Sequence, residues 1–180
     1  MNPQLQAVTD ELNAAETRLH ELAATTAPLS WSRRPEPARW SVAECVAHLN
    51  LTSAASLPRL REALAGAVPD SRGPMRYRRD PMGWLLWRTM GPPVRMRLKT
   101  TAPFIPRAAG DPDELVAEFD RWQAELVGCV READGLPLGR IWIRSPFNHR
   151  VRYNLYSAFT ILSRHQHRHL WQAERAAAAL

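Results

Sequence analysis

Six apolar residues near the N-terminus, Leu5, Val8, Leu12, Ala15, Leu19 and Leu22, recur three and four apart, with Asp10, Glu11, Glu16 and Glu21 outside the series. That spacing draws one apolar seam down an α-helix, and such a helix has to bury its seam against other elements. Three more segments of the chain repeat the pattern. A second helix starts at "WSVAE", where Ser41 and Glu44 make a capping box. Its apolar residues are Val42, Val46, Leu49, Leu57, Leu60 and Leu64, and Pro58 within them predicts a kink or a division into two. A third opens on "DPDE", with Asp111 as cap, Pro112 in the first turn and Glu114 completing a box; it buries Leu115, Phe119, Trp122, Leu126 and Val130. A fourth runs from about Asn154 to the C-terminus.

The segment between Gly66 and Gly110 is different. It is rich in Pro, Gly and Arg, and only Pro81 to about Arg97, with Trp84, Leu85, Trp87 and Met90, has room for a short helix. Its length suits a lid or a flap packed on the core. "RIWIRSPFNHRVRY", before the last helix, reads as extended or irregular. Together these features predict an all-α fold in one domain, 1–180: an antiparallel four-helix bundle with a long Pro/Arg-rich excursion between helices two and three.

Charge and cysteine content narrow the function. The net charge is +6, but Lys99 is the only lysine, and the arginines are scattered among abundant Ala and Pro. GC-rich coding sequence imposes that mixture on proteins of every kind, so no nucleic-acid partner is expected. No apolar run approaches the roughly 20 residues that span a bilayer, and "MNPQLQAVTD" does not read as a signal peptide. The expectation is a cytoplasmic protein with no membrane partner. Cys45 and Cys129 lack CxxC spacing and read as reduced, buried thiols.

The chemistry concentrates in "SRHQHRHLWQAER". At ~100° per residue, Leu155, Phe159, Leu162, Gln166 and Ala173 define the apolar face of the last helix. His169 lies in that face, His165 at its edge, and His167 on the far side. His165 and His169, four apart, can bind one ion together. In an HExxH metalloprotease a Glu follows the first His; here that residue is Gln166, which takes up no proton, so the protease reading fails. Two imidazoles leave a divalent ion under-coordinated, and His20, His48 and His149 are the candidates for a third ligand. Periodicity places His48 away from the apolar stripe of helix two, as a surface histidine would be.

"RWSVAECVAHLNLT" and, some 115 residues later, "LSRHQHRHLWQAERA" resemble the DinB superfamily of four-helix-bundle proteins, which includes metal-dependent hydrolases and enzymes that use mycothiol, bacillithiol or glutathione. The resemblance spans nearly the whole chain. It implies that His48 joins His165 and His169 around one divalent ion: nickel, zinc, manganese or iron. It also implies a small-molecule substrate with a low-molecular-weight thiol as cosubstrate, and a homodimer in which Trp171 and the "WLLW" segment serve the interface.

A three-histidine site with open positions suits Lewis-acid work, either on water or on a substrate thiol that coordination deprotonates. The enzyme expected is thus a thiol S-transferase or isomerase, or a hydrolase. The alternative is a bundle that binds metal or a small ligand without catalysis, with nucleic-acid binding a distant third. Gln172, three residues past His169, can reach a ligand or lie on the surface; Cys45 reads as core. Ser163 and Asp120 signal no triad, and no carboxylate stands where a general base would.

Overall fold

A computed structural model of the chain describes residues 1–69, 76–92, 100–106 and 110–180. These form five α-helices and one small sheet: α1 (Pro3–Thr25), α2 (Val42–Ala65), α3 (Pro81–Met90), α4 (Pro112–Glu132), β1 (Trp142–Arg144), β2 (Arg152–Asn154) and α5 (Leu155–Ala177), with 3₁₀ turns at Pro28–Ser30 and Ala102–Phe104. The expected all-helical character therefore holds for the long elements. The extended segment before α5 adds an antiparallel hairpin, with Trp142 opposite Asn154, Ile143 opposite Tyr153 and Arg144 opposite Arg152. Only the middle pair, Ile143 and Tyr153, turns inward on both strands.

Each helix starts where a side chain satisfies orphan N–H groups of its first turn. The Asn2 side chain accepts from Gln4 N–H at 2.8 Å, and the Asn154 side chain from Ser157 N–H at 2.8 Å. The Ser41 hydroxyl accepts from Glu44 N–H at 3.2 Å while the Glu44 carboxylate accepts from Ser41 N–H at 2.9 Å, a complete capping box. At α4 the Asp111 carboxylate takes both Asp113 N–H and Glu114 N–H, but Glu114 does not close the box in return.

Glu44 is also gripped by the Arg34 guanidinium. Burial pushes its carboxyl up, and the Arg34 pairing with the Ser41 hydrogen bonds outweighs burial, so the group ends below its ordinary range. Glu44→Ala therefore removes half a capping box and an ion pair together. A loss of about 1–2 kcal/mol is expected in urea unfolding, whereas a solvated carboxylate would cost almost nothing.

Pro58 does not divide α2: the helix is continuous from Val42 to Ala65 with the proline inside it. Leu57 and Leu60, on either side of the proline, are both buried. That burial on both flanks offsets the hydrogen bond a mid-helix proline forfeits. α3 is shorter than the sequence suggests: it ends at Met90 and Gly91, and the expected extension to Arg97 falls on residues 93–99, outside the described part.

α1 and α2 each pack on both α4 and α5, while α3 packs along α5. The core has two apolar clusters. One gathers Leu5 to Leu12 of α1, Leu57 to Leu64 of α2, Leu126 to Ala133 of α4 and Leu155 to Ile161 of α5. The other gathers Ala15 to Leu22, Val42 to Leu49, Leu115 and Phe119, and Leu170 to Ala176. The first cluster thus takes the N-terminal ends of α1 and α5 and the C-terminal ends of α2 and α4. α2 and α4 therefore run the same way, antiparallel to α1 and α5.

Between the clusters lies a buried polar layer. α2 contributes His48, Thr52, Ser53 and Ser56; α4 contributes Gln123; α5 contributes Ser163, His165, Gln166 and His169. Three of its hydroxyls bond along their own helices, Thr52 donating to Leu49 O, Ser56 to Thr52 O and Ser163 to Thr160 O. Gln123 of α4 and Gln166 of α5 exchange amide hydrogen bonds at 2.7 and 3.2 Å. The three histidines are what that pairing leaves over.

Candidate metal centre

His48, His165 and His169 come together in this layer, each offering a ring nitrogen, and the three nitrogens lie within 4.8 Å of one another. His48 Nε2 and His165 Nε2 stand 3.3 Å apart. Ring centroids are separated by 4.3 Å for His48–His169, 4.4 Å for His165–His169 and 5.1 Å for His48–His165. Ligands about 2.1 Å from a common ion stand roughly 3–4 Å apart, a spacing the His48–His165 pair meets.

All three rings are buried, His48 to 2%, His165 to 6% and His169 to 7% exposure. For His48 this corrects the surface position that periodicity assigned. The stripe reading took α2 to be buried on one side only. In the fold, α4 and α5 both pack against it and the Ala102–Phe104 turn reaches it from the excursion.

That turn fixes the His48 ring. Its Nδ1–H donates to the Phe104 carbonyl at 2.8 Å, which leaves Nε2 unprotonated and directed at His165. Trp40 packs on His48 and His169, at 5.0 and 5.9 Å between centroids. Phe147 of the hairpin loop packs on both His165 and Phe104. The centre is therefore walled by aromatic rings from three separate connections.

Electrostatics keep the rings neutral. Burial lowers the His48 pKa against the raising effect of the Phe104 carbonyl. Burial, then His48 and Arg168, take His165 well below its ordinary value. Burial, then His165, His48 and Arg168, do the same to His169, with a Gln172 hydrogen bond opposing them. Neutral imidazoles carry the lone pairs a cation needs. His169 Nδ1 is buried without a hydrogen-bond partner, a costly arrangement for a neutral ring. Three convergent imidazoles with one such orphan nitrogen fit a divalent ion that accepts nitrogen ligands.

The remaining candidates lie elsewhere. His20 is exposed and pairs with Asp120 at 3.0 Å beside Glu16, on the α1–α4 surface. His149 is exposed in the hairpin loop, its carbonyl accepting from Arg144. His167 is neither in the site nor free in solvent: its Nε2 donates to Glu11 O at 3.0 Å and its Nδ1 accepts from Arg18, which also grips Glu174. It ties α5 to α1. Gln166 turns away from the centre to its partner Gln123.

No protein nucleophile is evident among the described residues. Cys45 is buried and its thiol is pushed up to about 12 by burial and Glu44. Ser163 donates to Thr160 O, and Asp120 is spent on His20. The Phe104 carbonyl and the Trp40 ring are the functional contacts that sequence reading missed. A main-chain carbonyl carries no residue signature. Trp40, directly before the Ser41 cap, sat in plain view within "RWSVAE".

A model of the DinB superfamily matches residues 11–173 of the chain. No curated protein and no solved structure is matched.

Proposed function

The chain belongs to the DinB superfamily, and from that premise we propose that it is a metal-dependent enzyme whose four long helices form a DinB-type bundle around one divalent ion held by His48, His165 and His169. The observation that carries the reading is the convergence of three neutral, buried ring nitrogens within 4.8 Å. When bound, the ion supplies Lewis acidity that lowers the pKa of a water or thiol beside it.

The chain's own residues divide the remaining work. The Phe104 carbonyl orients the His48 imidazole, and Trp40, Phe104 and Phe147 keep bulk water from the rings. No carboxylate among the described residues joins the group to take a proton. A free thiol loses its proton near pH 8.5 unaided, far more readily than water does, so a site without a general base favours a thiol as the nucleophile. Thiol-dependent transfer or isomerisation on a small electrophile is accordingly the first reading, and hydrolysis the second.

The burial of all three ligands favours one other reading, a closed site that binds its ion for stability alone. Metal-loaded, untagged protein assayed with panels of low-molecular-weight thiol plus electrophile, and of esters and amides, separates these. Thiol consumption that His48→Ala lowers at least a hundredfold is the expected result. Loaded protein inert to both panels establishes the non-catalytic binder.

A further inference from the structure

α3 is apolar on both sides. Gly83, Leu86, Trp87 and Met90 form its inner side, where Leu86, Trp87 and Met90 pack against the core. The turned-out side carries Pro81, Met82, Trp84 and Leu85 with Arg88, and here Met82 is 40%, Leu85 49% and Trp84 53% exposed. A helix on the outside of a water-soluble fold ordinarily reserves that side for polar residues. The inner side comes unusually close to α5: a Cβ on Gly83 would stand 2.1 Å from the Ser157 hydroxyl. α3 is thus clamped down, with its second apolar side held outward.

Along the sequence, the charge of the stretch that contains this helix is as lopsided as the helix's hydrophobicity. Residues 70–99 hold eight basic residues against Asp70 and Asp80, a net +6, which is the net charge of the entire chain. Outside that stretch basic and acidic residues balance, sixteen of each. Asp80 is buried and committed to hydrogen bonds with Gly83, Asn154 and Ser157, while Arg76, Arg78 and Arg88 are exposed.

We propose that the exposed face of α3 docks the protein on an anionic lipid surface, with Met82, Trp84 and Leu85 entering the interface and the flanking arginines meeting lipid headgroups. Exposed apolar residues bordered by arginine are the composition of an interfacial helix. A second copy of the chain is the wrong occupant, because a twofold contact through this face would set Arg76, Arg78 and Arg88 of one copy against those of the other. Nucleic acid is also disfavoured, since Met82 and Leu85 have no ring to stack on a base. No helix among the described residues is long and apolar enough to cross a membrane, so the attachment is peripheral.

Flotation of the full-length protein with phosphatidylcholine vesicles, with and without phosphatidylglycerol, tests this. Binding is expected only to the anionic vesicles, and it weakens as added salt shortens the screening length. Trp84→Ser/Leu85→Ser lowers partitioning at least tenfold, and each of Arg76→Gln, Arg78→Gln and Arg88→Gln lowers it about fivefold. All five positions are exposed, so circular dichroism of the variants stays that of the parent. No binding to either vesicle, or equal binding to both, overturns the proposal. So does a dimer in sedimentation that Trp84→Ser/Leu85→Ser converts to monomer, or a polynucleotide that binds where anionic vesicles do not.

Discussion

A divalent ion supplied at a thousand times its dissociation constant should stabilise this protein by about 4 kcal/mol. At roughly 2–4 °C per kcal/mol for a chain of this size, the melting temperature rises by about 8–16 °C, and EDTA takes the gain away. The expectation follows from where the ligands sit. His48 belongs to α2 and the other two to α5, 117 residues further on. An ion shared between them joins two helices in the folded state and has no preformed site in the unfolded chain. The same rings without an ion are a burden, because three imidazoles and the orphan His169 Nδ1 are buried in the layer between the two apolar clusters. His165→Ala should therefore lose the ion-induced rise while melting, metal-free, close to the metal-free parent. A rise of equal size in His165→Ala would place the ion elsewhere.

Asp80→Ala should cost about 3 kcal/mol in urea unfolding, the largest single-residue loss expected outside the apolar core. One carboxylate oxygen caps α3 through Gly83 N–H at 3.0 Å, and the other accepts from Asn154 N–H and the Ser157 hydroxyl, both at 2.8 Å. The Asn154 amide reaches back to Arg78 O at 2.9 Å. The excursion, the hairpin and the start of α5 are thus joined at one buried side chain. Burial pushes the Asp80 carboxyl up, but the Asn154 and Gly83 N–H groups and the Ser157 hydroxyl outweigh it, and the folded value lies below the ordinary 3.8. The sign follows. Ionised Asp80 contributes its full stability above the unfolded value near pH 3.8, and the contribution is lost as pH falls through the lower folded value. Asp80→Ala should accordingly flatten the fall in stability between pH 5 and pH 3 relative to the parent. An unchanged acid limb would mean the carboxylate is not gripped as described.

The long helices were legible because each repeats its apolar residues every three or four positions, and because Ser41, Asp111 and Asn154 stand where caps must stand. The division that Pro58 allows does not occur, since a local rule about proline says nothing of Leu57 and Leu60 buried around it. The hairpin was legible only as extended chain, since strands of three residues are too short to display an alternation. Within the site, the α5 pair followed from helix geometry. His48 did not, because periodicity assumes one buried side and α2 is covered on several. Asp80 could have been found: "DPMG" repeats ahead of α3 the Asp-Pro opening that announces α4. The Phe104 carbonyl could not, since its role depends on a turn folding back across 56 residues to His48.

The central claim is one ion on three histidines, and metal content tests it most directly. Untagged protein expressed with mixed divalent metals, desalted and analysed by mass spectrometry, should carry close to one ion per chain. His48→Ala, His165→Ala and His169→Ala should each carry almost none while remaining folded by circular dichroism. Metal content unchanged across all three variants would contradict the account.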